Sequence, residues 1–118
     1  MFELRLKKEG IVATSQEVDG EFTVHEGSLV RLAWSGVDDG YKRLREKLEQ
    51  DGTLVPSADS KTMRFTHDQV FASPSAAAAV VAGRSANGRV EWKVSETGMS
   101  YGTWQSRGVD DAVRGATS

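Results

Sequence analysis

FASPSAAAAVVAGRSANGRVEWK, running from Phe71 to Lys93, is the stretch on which the fold of this chain turns. Ser73 followed by Pro74 reads as a helix start. The serine hydroxyl accepts a free backbone N–H, and proline at the first helical position lacks only an N–H that would have no partner. The apolar run from Ala76 to Ala82 carries the helix on, and Gly83 stops it, because glycine enters the left-handed conformation at little cost. Asn87-Gly88 is a strong turn signal. Beyond it Val90, Trp92 and Val94 alternate with Arg89, Glu91 and Lys93, the period of a half-buried strand with Trp92 on its apolar face. Ala76 to Ala79 are small enough to let the helix lie close against a sheet. A bulky replacement at Ala77 is therefore expected to overpack the core, at a cost of about 1–3 kcal/mol.

Upstream, Phe2, Leu4 and Leu6 alternate with Glu3 and Arg5, which predicts a first strand. Short strands are expected at Ile11–Ala13 and around Phe22 and Val24, with Val18-Asp19-Gly20 as a turn, and Leu29–Trp34 reads as a strand-like or irregular apolar run. Asp38 and Asp39 are placed to cap a helix that runs to about Gln50 and stops at Asp51-Gly52. Tyr41, Leu44 and Leu48 share its inner face, and Lys42, Arg43, Arg45, Glu46, Lys47 and Glu49 its solvated one. Strands follow at Thr53–Val55 and Thr62–Phe65. Thr66 and Gln69 have capping-box spacing, which predicts one helical turn over His67–Phe71. Thr97-Gly98 turns the chain into an expected hairpin strand, Met99–Gln105. These elements describe one α+β domain over residues 1–105, a mainly antiparallel sheet with two principal helices packed on it. Residues 106–118 read as a weakly ordered tail, with a weak helix at most around Val109–Arg114.

At 118 residues, 38% of them apolar, the chain is large enough to bury a core of its own. It has no cysteine, which excludes disulfides, thiolate nucleophiles and Cys-based zinc sites. No signal peptide is legible in MFELRLKKEG, and the longest apolar run falls far short of the roughly 20 residues of a membrane span. A cytoplasmic protein with no membrane contact is expected. Fifteen bases against seventeen acids give a net charge of −2. That balance argues against an indiscriminate polyanion binder. The distribution is uneven. Glu17, Asp19, Glu21, Glu26, Asp38 and Asp39 face Arg31 alone between positions 17 and 39, whereas Lys61, Arg64, Arg84, Arg89 and Lys93 face only Asp68 and Glu91 between 61 and 93.

Catalytic chemistry finds little footing. His25 and His67 stand apart, with no triad arrangement of Ser or Asp around either. No metal-ligand spacing occurs, and the Gly83–Gly88 segment follows a helix and lacks the Lys-Ser/Thr of a phosphate loop. No enzyme, cofactor or metal is expected. Ser73-Pro74-Ser75 has two readings: a helix cap worth about 1 kcal/mol, or an anion site built from free N–H groups and two hydroxyls. Trp34, Trp92 and Trp104 read as core residues, with base stacking as the alternative.

The order SPSAAA…GRSANG…EWK closely resembles the signature of a prokaryotic family, domain of unknown function 4357. FTVHEGS (Phe22–Ser28), RLREKLEQDGTL (Arg43–Leu54) and RFTHDQVF (Arg64–Phe71) extend the likeness over about residues 21–93. A looser similarity reaches the restriction-enzyme and adenine-methylase associated domain. Members often sit beside GIY-YIG nuclease-like domains or in restriction–modification settings, so the resemblance implies a non-catalytic accessory module near nucleic acid. Its signature falls here on Ser73, Pro74, Ser75, Gly83, Asn87, Gly88 and Trp92. The expected function is binding of DNA or of a DNA-processing partner. The contacts expected are Lys61, Arg64, Arg84, Arg89 and Lys93, with Ser73, Ser75 and Asn87 at the helix start and turn. The alternative is a protein-interaction adaptor that uses the acidic segment 17–39 and touches no nucleic acid.

Overall fold

Alternation builds the N-terminal half as expected. β1 (Phe2–Leu6) buries Phe2 and Leu4 and turns Arg5 to solvent. A 3₁₀ turn, Lys7–Glu9, reverses the chain into β2 (Ile11–Val18). β2 is longer than the short strand expected at Ile11–Ala13 because its two halves serve two partners. Ile11–Ser15 pair antiparallel with β1, and Ser15–Val18 with β3 (Glu21–Val24). β7 (Gln69–Phe71) adds to the other side of β3, and β8 (Lys93–Val94) to the other side of β1. The first sheet is thus five-stranded and antiparallel, in the order β7-β3-β2-β1-β8.

The chain leaves that sheet at Gly27, whose φ of 85° favours a residue without a side chain. Gly27 donates its N–H to the Phe65 carbonyl at 2.9 Å, and Phe65 donates to the Ser28 carbonyl at 3.0 Å. A second antiparallel sheet starts there, in the order β4-β6-β5, from β4 (Leu29–Arg31), β5 (Leu54–Pro56) and β6 (Thr62–Phe65). Ser28 Oγ accepts the Thr14 N–H at 3.0 Å and so ties the two sheets together. The fold is α+β, with two antiparallel sheets where one was expected.

The computed structural model describes residues 1–106; the expected tail helix around Val109–Arg114 lies outside them. Helix α1 (Gly40–Gln50) is capped by Asp39, whose carboxylate accepts the Tyr41 and Lys42 N–H groups at 2.9 and 3.1 Å. Helix α2 (Pro74–Ala82) starts at the Ser73 cap and ends at Gly83 in the left-handed conformation. Every residue from Ala76 to Ala82 is buried, because α2 packs on α1, β3, β4 and β7 at once. Small side chains on all sides make that central position possible, as the sequence implied for Ala77.

Five local expectations give way to tertiary contacts. Arg89–Lys93 is not an alternating strand: Gly88–Glu91 form a short helix, α3, capped by Asn87, and only Lys93–Val94 are extended. Val90 is accordingly exposed while Trp92 is fully buried. His67–Phe71 is not a helical turn, since Gln69–Phe71 pair with β3. Residues 101–106 are helical, and the expected hairpin shrinks to one bridge between Lys93 and Ser100. Among the tryptophans only Trp92 is a core residue; Trp34 is half-buried and Trp104 is exposed.

Arg45 is the largest departure, for it is buried and not on the solvated face. Its guanidinium donates to the Arg31 carbonyl and, at 3.5 Å, to the Val80 carbonyl. It thereby cross-links α1 to β4 and α2. Glu49 lies 3.6 Å from Nε. Burial lowers the pKa of Arg45, and Glu49 counters that shift.

Candidate functional site

The signature residues converge on the start of α2. Ser73 Oγ accepts the Ala76 N–H at 3.0 Å, and Ser75 Oγ accepts the Gly88 N–H at 2.9 Å. Trp92 donates its indole N–H to the Pro74 carbonyl at 3.0 Å. Asn87 caps α3 by accepting the Arg89 N–H at 3.0 Å. Gly88 sits so close that a Cβ there would lie 2.2 Å from the Pro74 carbonyl carbon and 2.4 Å from Ser75 N. A residue with a side chain does not fit at position 88. At the far end of α2, Gly83 combines a φ of 68° with backbone contact, a Cβ there meeting the Ala33 carbonyl at 2.8 Å. The side-chain oxygens of Ser73, Ser75 and Asn87 thus each accept a backbone N–H, and the three residues act as caps and clamps in the fold.

The five expected bases fall in three places. Lys61 lies in the β5–β6 turn, where its N–H donates to Asp59 at 2.8 Å, and Arg64 is exposed on β6 between Leu29 and Val55 in register. Arg84 follows α2, packed against Gly36. Arg89 lies in α3 and Lys93 in β8, the edge strand of the other sheet. Arg89 donates to Gln105 at 2.5 Å and to the Gly102 carbonyl at 3.4 Å, while Lys93 pairs in register with Glu3. Arg84 and Arg89 stand at opposite ends of α2, whose nine residues span about 13 Å. No contact draws the five into one constellation.

The acidic segment divides too. Asp39 caps α1 and also accepts the Ser85 hydroxyl at 2.7 Å, a hydrogen bond that lowers its pKa. Glu17 accepts the Tyr101 hydroxyl at 2.6 Å. Burial, and then Glu17, push that phenol up to about 12. Asp59 receives the Ser57 hydroxyl and the Lys61 and Thr62 N–H groups, which hold it down at about 2. His25 bonds Thr14 Oγ1 at 2.9 Å, and His67 bonds the Asp68 carbonyl at 2.8 Å, on separate elements. Among the described residues no group of three His, Cys, Asp or Glu is placed to hold a metal. No helix among them is long and apolar enough to cross a membrane.

One recess combines exposed apolar surface with charge. It lies at the open end of the five-stranded sheet and encloses about 350 Å³. Met1, Val18, Val94 and Trp104 supply its apolar wall, and Glu17 and Glu96 its carboxylates. Met1 is 61% exposed, Val18 52% and Trp104 41%, against a core in which Phe2 and Tyr101 are buried. Phe2 supports Trp104 edge-on, with ring centroids 5.1 Å apart, and Tyr101 packs beside it at 5.8 Å. The β2–β3 turn brings Asp19 and Glu21 to the same end. Sequence reasoning reached only part of this site: the acidic segment 17–39, offered as an adaptor surface, supplies Glu17 and Val18, whereas Met1, Val94, Glu96 and Trp104 come from distant parts of the chain. A second recess, of about 480 Å³ and mostly apolar, lies between Tyr41 and Leu44 of α1 and Ala72 and Ala76 at the start of α2.

Residues 3–105 match the model of a family described as Domain of unknown function (DUF4357), and the chain belongs to that family. The match is wider than the signature region, taking in β1 and the helical segment beyond β8. No curated protein and no solved structure matches the chain.

Proposed function

With that family as the premise, we propose that the chain is a non-catalytic accessory module that docks a protein partner of nucleic-acid-processing machinery. The observation that carries the proposal is the recess walled by Met1, Val18 and Trp104 and flanked by Glu17 and Glu96. Solvent-exposed apolar side chains gathered around a concavity with charged flanks are the usual form of an interaction site. The setting implied by the family resemblance, beside nuclease-like domains, supplies the class of partner. The looser likeness to the restriction-enzyme and adenine-methylase associated domain points the same way. Both are analogies of context.

Direct DNA contact is the second reading, supported by the exposure of Lys61, Arg64, Arg89 and Lys93. It has less support because a phosphate-tracking surface needs its bases side by side, and here they lie on separate elements. A protein kept in solution near nucleic acid by its partner needs no such stripe.

The test is capture of partners from cells that make the protein, using the intact chain and two sets of surface variants. Val18→Asp with Glu96→Lys is expected to abolish capture of the partner, while Arg64→Glu with Lys93→Glu leaves it intact. A parallel titration with duplex DNA at about 50 mM salt, where phosphate contacts are strongest, is expected to show no saturable binding. Capture that survives the first pair, or tight DNA binding lost with the second, overturns the proposal.

A further inference from the structure

Resting on the docking reading above, we infer that the recess at the open end of the five-stranded sheet receives an arginine side chain from a basic segment of the partner. Its size is the first reason. At about 350 Å³ it stands at the low end of ligand pockets, which run from roughly 300 to 1,000 Å³. A side chain or two fills it, and a folded element does not.

Charge is the second reason. Glu17 and Glu96 line the recess, Asp19 and Glu21 stand at the neighbouring hairpin tip, and among the described residues no Lys or Arg side chain lines it. An anionic or purely apolar occupant leaves those carboxylates facing it unpaired. Glu17 uses Oε1 to accept the Tyr101 hydroxyl, which fixes the carboxylate in place.

The third reason is the aromatic wall. Trp104 is 41% exposed yet braced by Phe2 and Tyr101, so an indole is presented on a rigid support. Indole is the best aromatic partner for a cation, and a guanidinium suits it because it is flat and weakly hydrated. The methylene stem of arginine covers Val18 and Val94, while its head meets the carboxylates. Lysine carries the charge without the planar group, so it binds the same place more weakly.

The experiment is an amide and indole NMR titration of the intact protein with four capped tetrapeptides: tetra-arginine, tetra-lysine, tetra-alanine and tetra-glutamate. Tetra-arginine is expected to shift the Trp104 indole and the amides of Val18 and Glu96, with tetra-lysine weaker and the other two silent. Glu96→Gln, at an exposed turn, is expected to raise Kd roughly two- to five-fold. Trp104→Leu is expected to weaken arginine more than lysine. Equal shifts from tetra-alanine, affinity that does not fall with salt, or no effect of Glu96→Gln would overturn the inference. So would shifts of the same resonances with protein concentration alone, which assign the recess to a second copy of the chain. If no peptide binds but Val18→Asp with Glu96→Lys still loses the captured partner, docking stands and the arginine inference falls.

Discussion

Gly88→Ala separates close packing from helix propensity, because the two predict opposite signs. Gly88 is in α3 with an unremarkable φ, so propensity alone favours alanine by about 0.5–1 kcal/mol. The added Cβ, however, falls 2.2 Å from the Pro74 carbonyl carbon and 2.4 Å from its oxygen. Both are backbone atoms at the first turn of the central helix, and neither swings aside as a side chain does. Overpacking of this kind costs about 1–3 kcal/mol. The displacement also strains the Ser75–Gly88 and Trp92–Pro74 hydrogen bonds, each worth about 0.5–1.5 kcal/mol. With the propensity gain subtracted, the expected net loss is about 3 kcal/mol, a large share of a domain stability of roughly 5–15 kcal/mol. Urea unfolding followed by tryptophan fluorescence measures it, since buried Trp92 touches the site. With a slope of about 1.5 kcal/mol per molar urea, the midpoint falls by roughly 2 M. A Gly88→Ala midpoint at or above that of the parent would refute the account of the signature as an interlocked helix start.

Arg45→Ala is expected to cost about 3 kcal/mol or more, because it opens a cavity and orphans the Arg31 and Val80 carbonyls. Its helical neighbour Arg43→Ala, at an exposed position, should stay within about 0.5 kcal/mol of the parent; equal losses at both sites would show that Arg45 is solvated. Asp59 titrates at about 2 in the folded chain against 3.8 as reference, so its contribution is full above that reference value and disappears as pH falls through about 2. The stability gap between the parent and Asp59→Asn should therefore close over that window in acid unfolding, and a gap that stays constant would contradict the turn geometry. Tyr101 has the opposite sign: its phenol is raised from 10.0 to about 12, so its contribution is full below pH 10 and is lost as pH rises through about 12. A tyrosinate absorbance titration should show one late phenol, absent in Tyr101→Phe.

Elements signalled by local chemistry were legible. Asp39, Ser73 with Pro74, and Gly83 end helices by hydrogen bonds and backbone conformation within a turn, and those signals need no tertiary context. Phe2–Leu6 and Thr62–Phe65 alternate because one face is buried, and the chain carries that record directly. The α3 segment misleads because a four-residue helix is too short to show a period. Val90 and Trp92 alternate with charges, yet one is exposed and the other fully buried. Thr66 has capping-box spacing to Gln69, but its hydroxyl bonds the Gly52 and Thr53 carbonyls, and Gln69 pairs across to Val24. Arg45 sits among exposed charges in α1, and only the arrival of β4 and α2 buries it. The candidate site was the least legible part. The bases that lie close in sequence are distributed over a turn, two strands, a short helix and a helix end, and the recess joins residues up to 103 positions apart, Met1 and Trp104.

Partner capture per folded molecule, compared between two variant pairs, distinguishes a signature that holds the fold from a recess that holds the partner. Ser75→Ala with Asn87→Ala removes a clamp and a cap, so stability should drop by about 1–3 kcal/mol while capture by the folded fraction is unchanged. Val18→Asp with Glu96→Lys should leave stability within about 0.5 kcal/mol and abolish capture. Loss of capture from the signature pair at undiminished stability, with capture retained by the recess pair, would contradict the account.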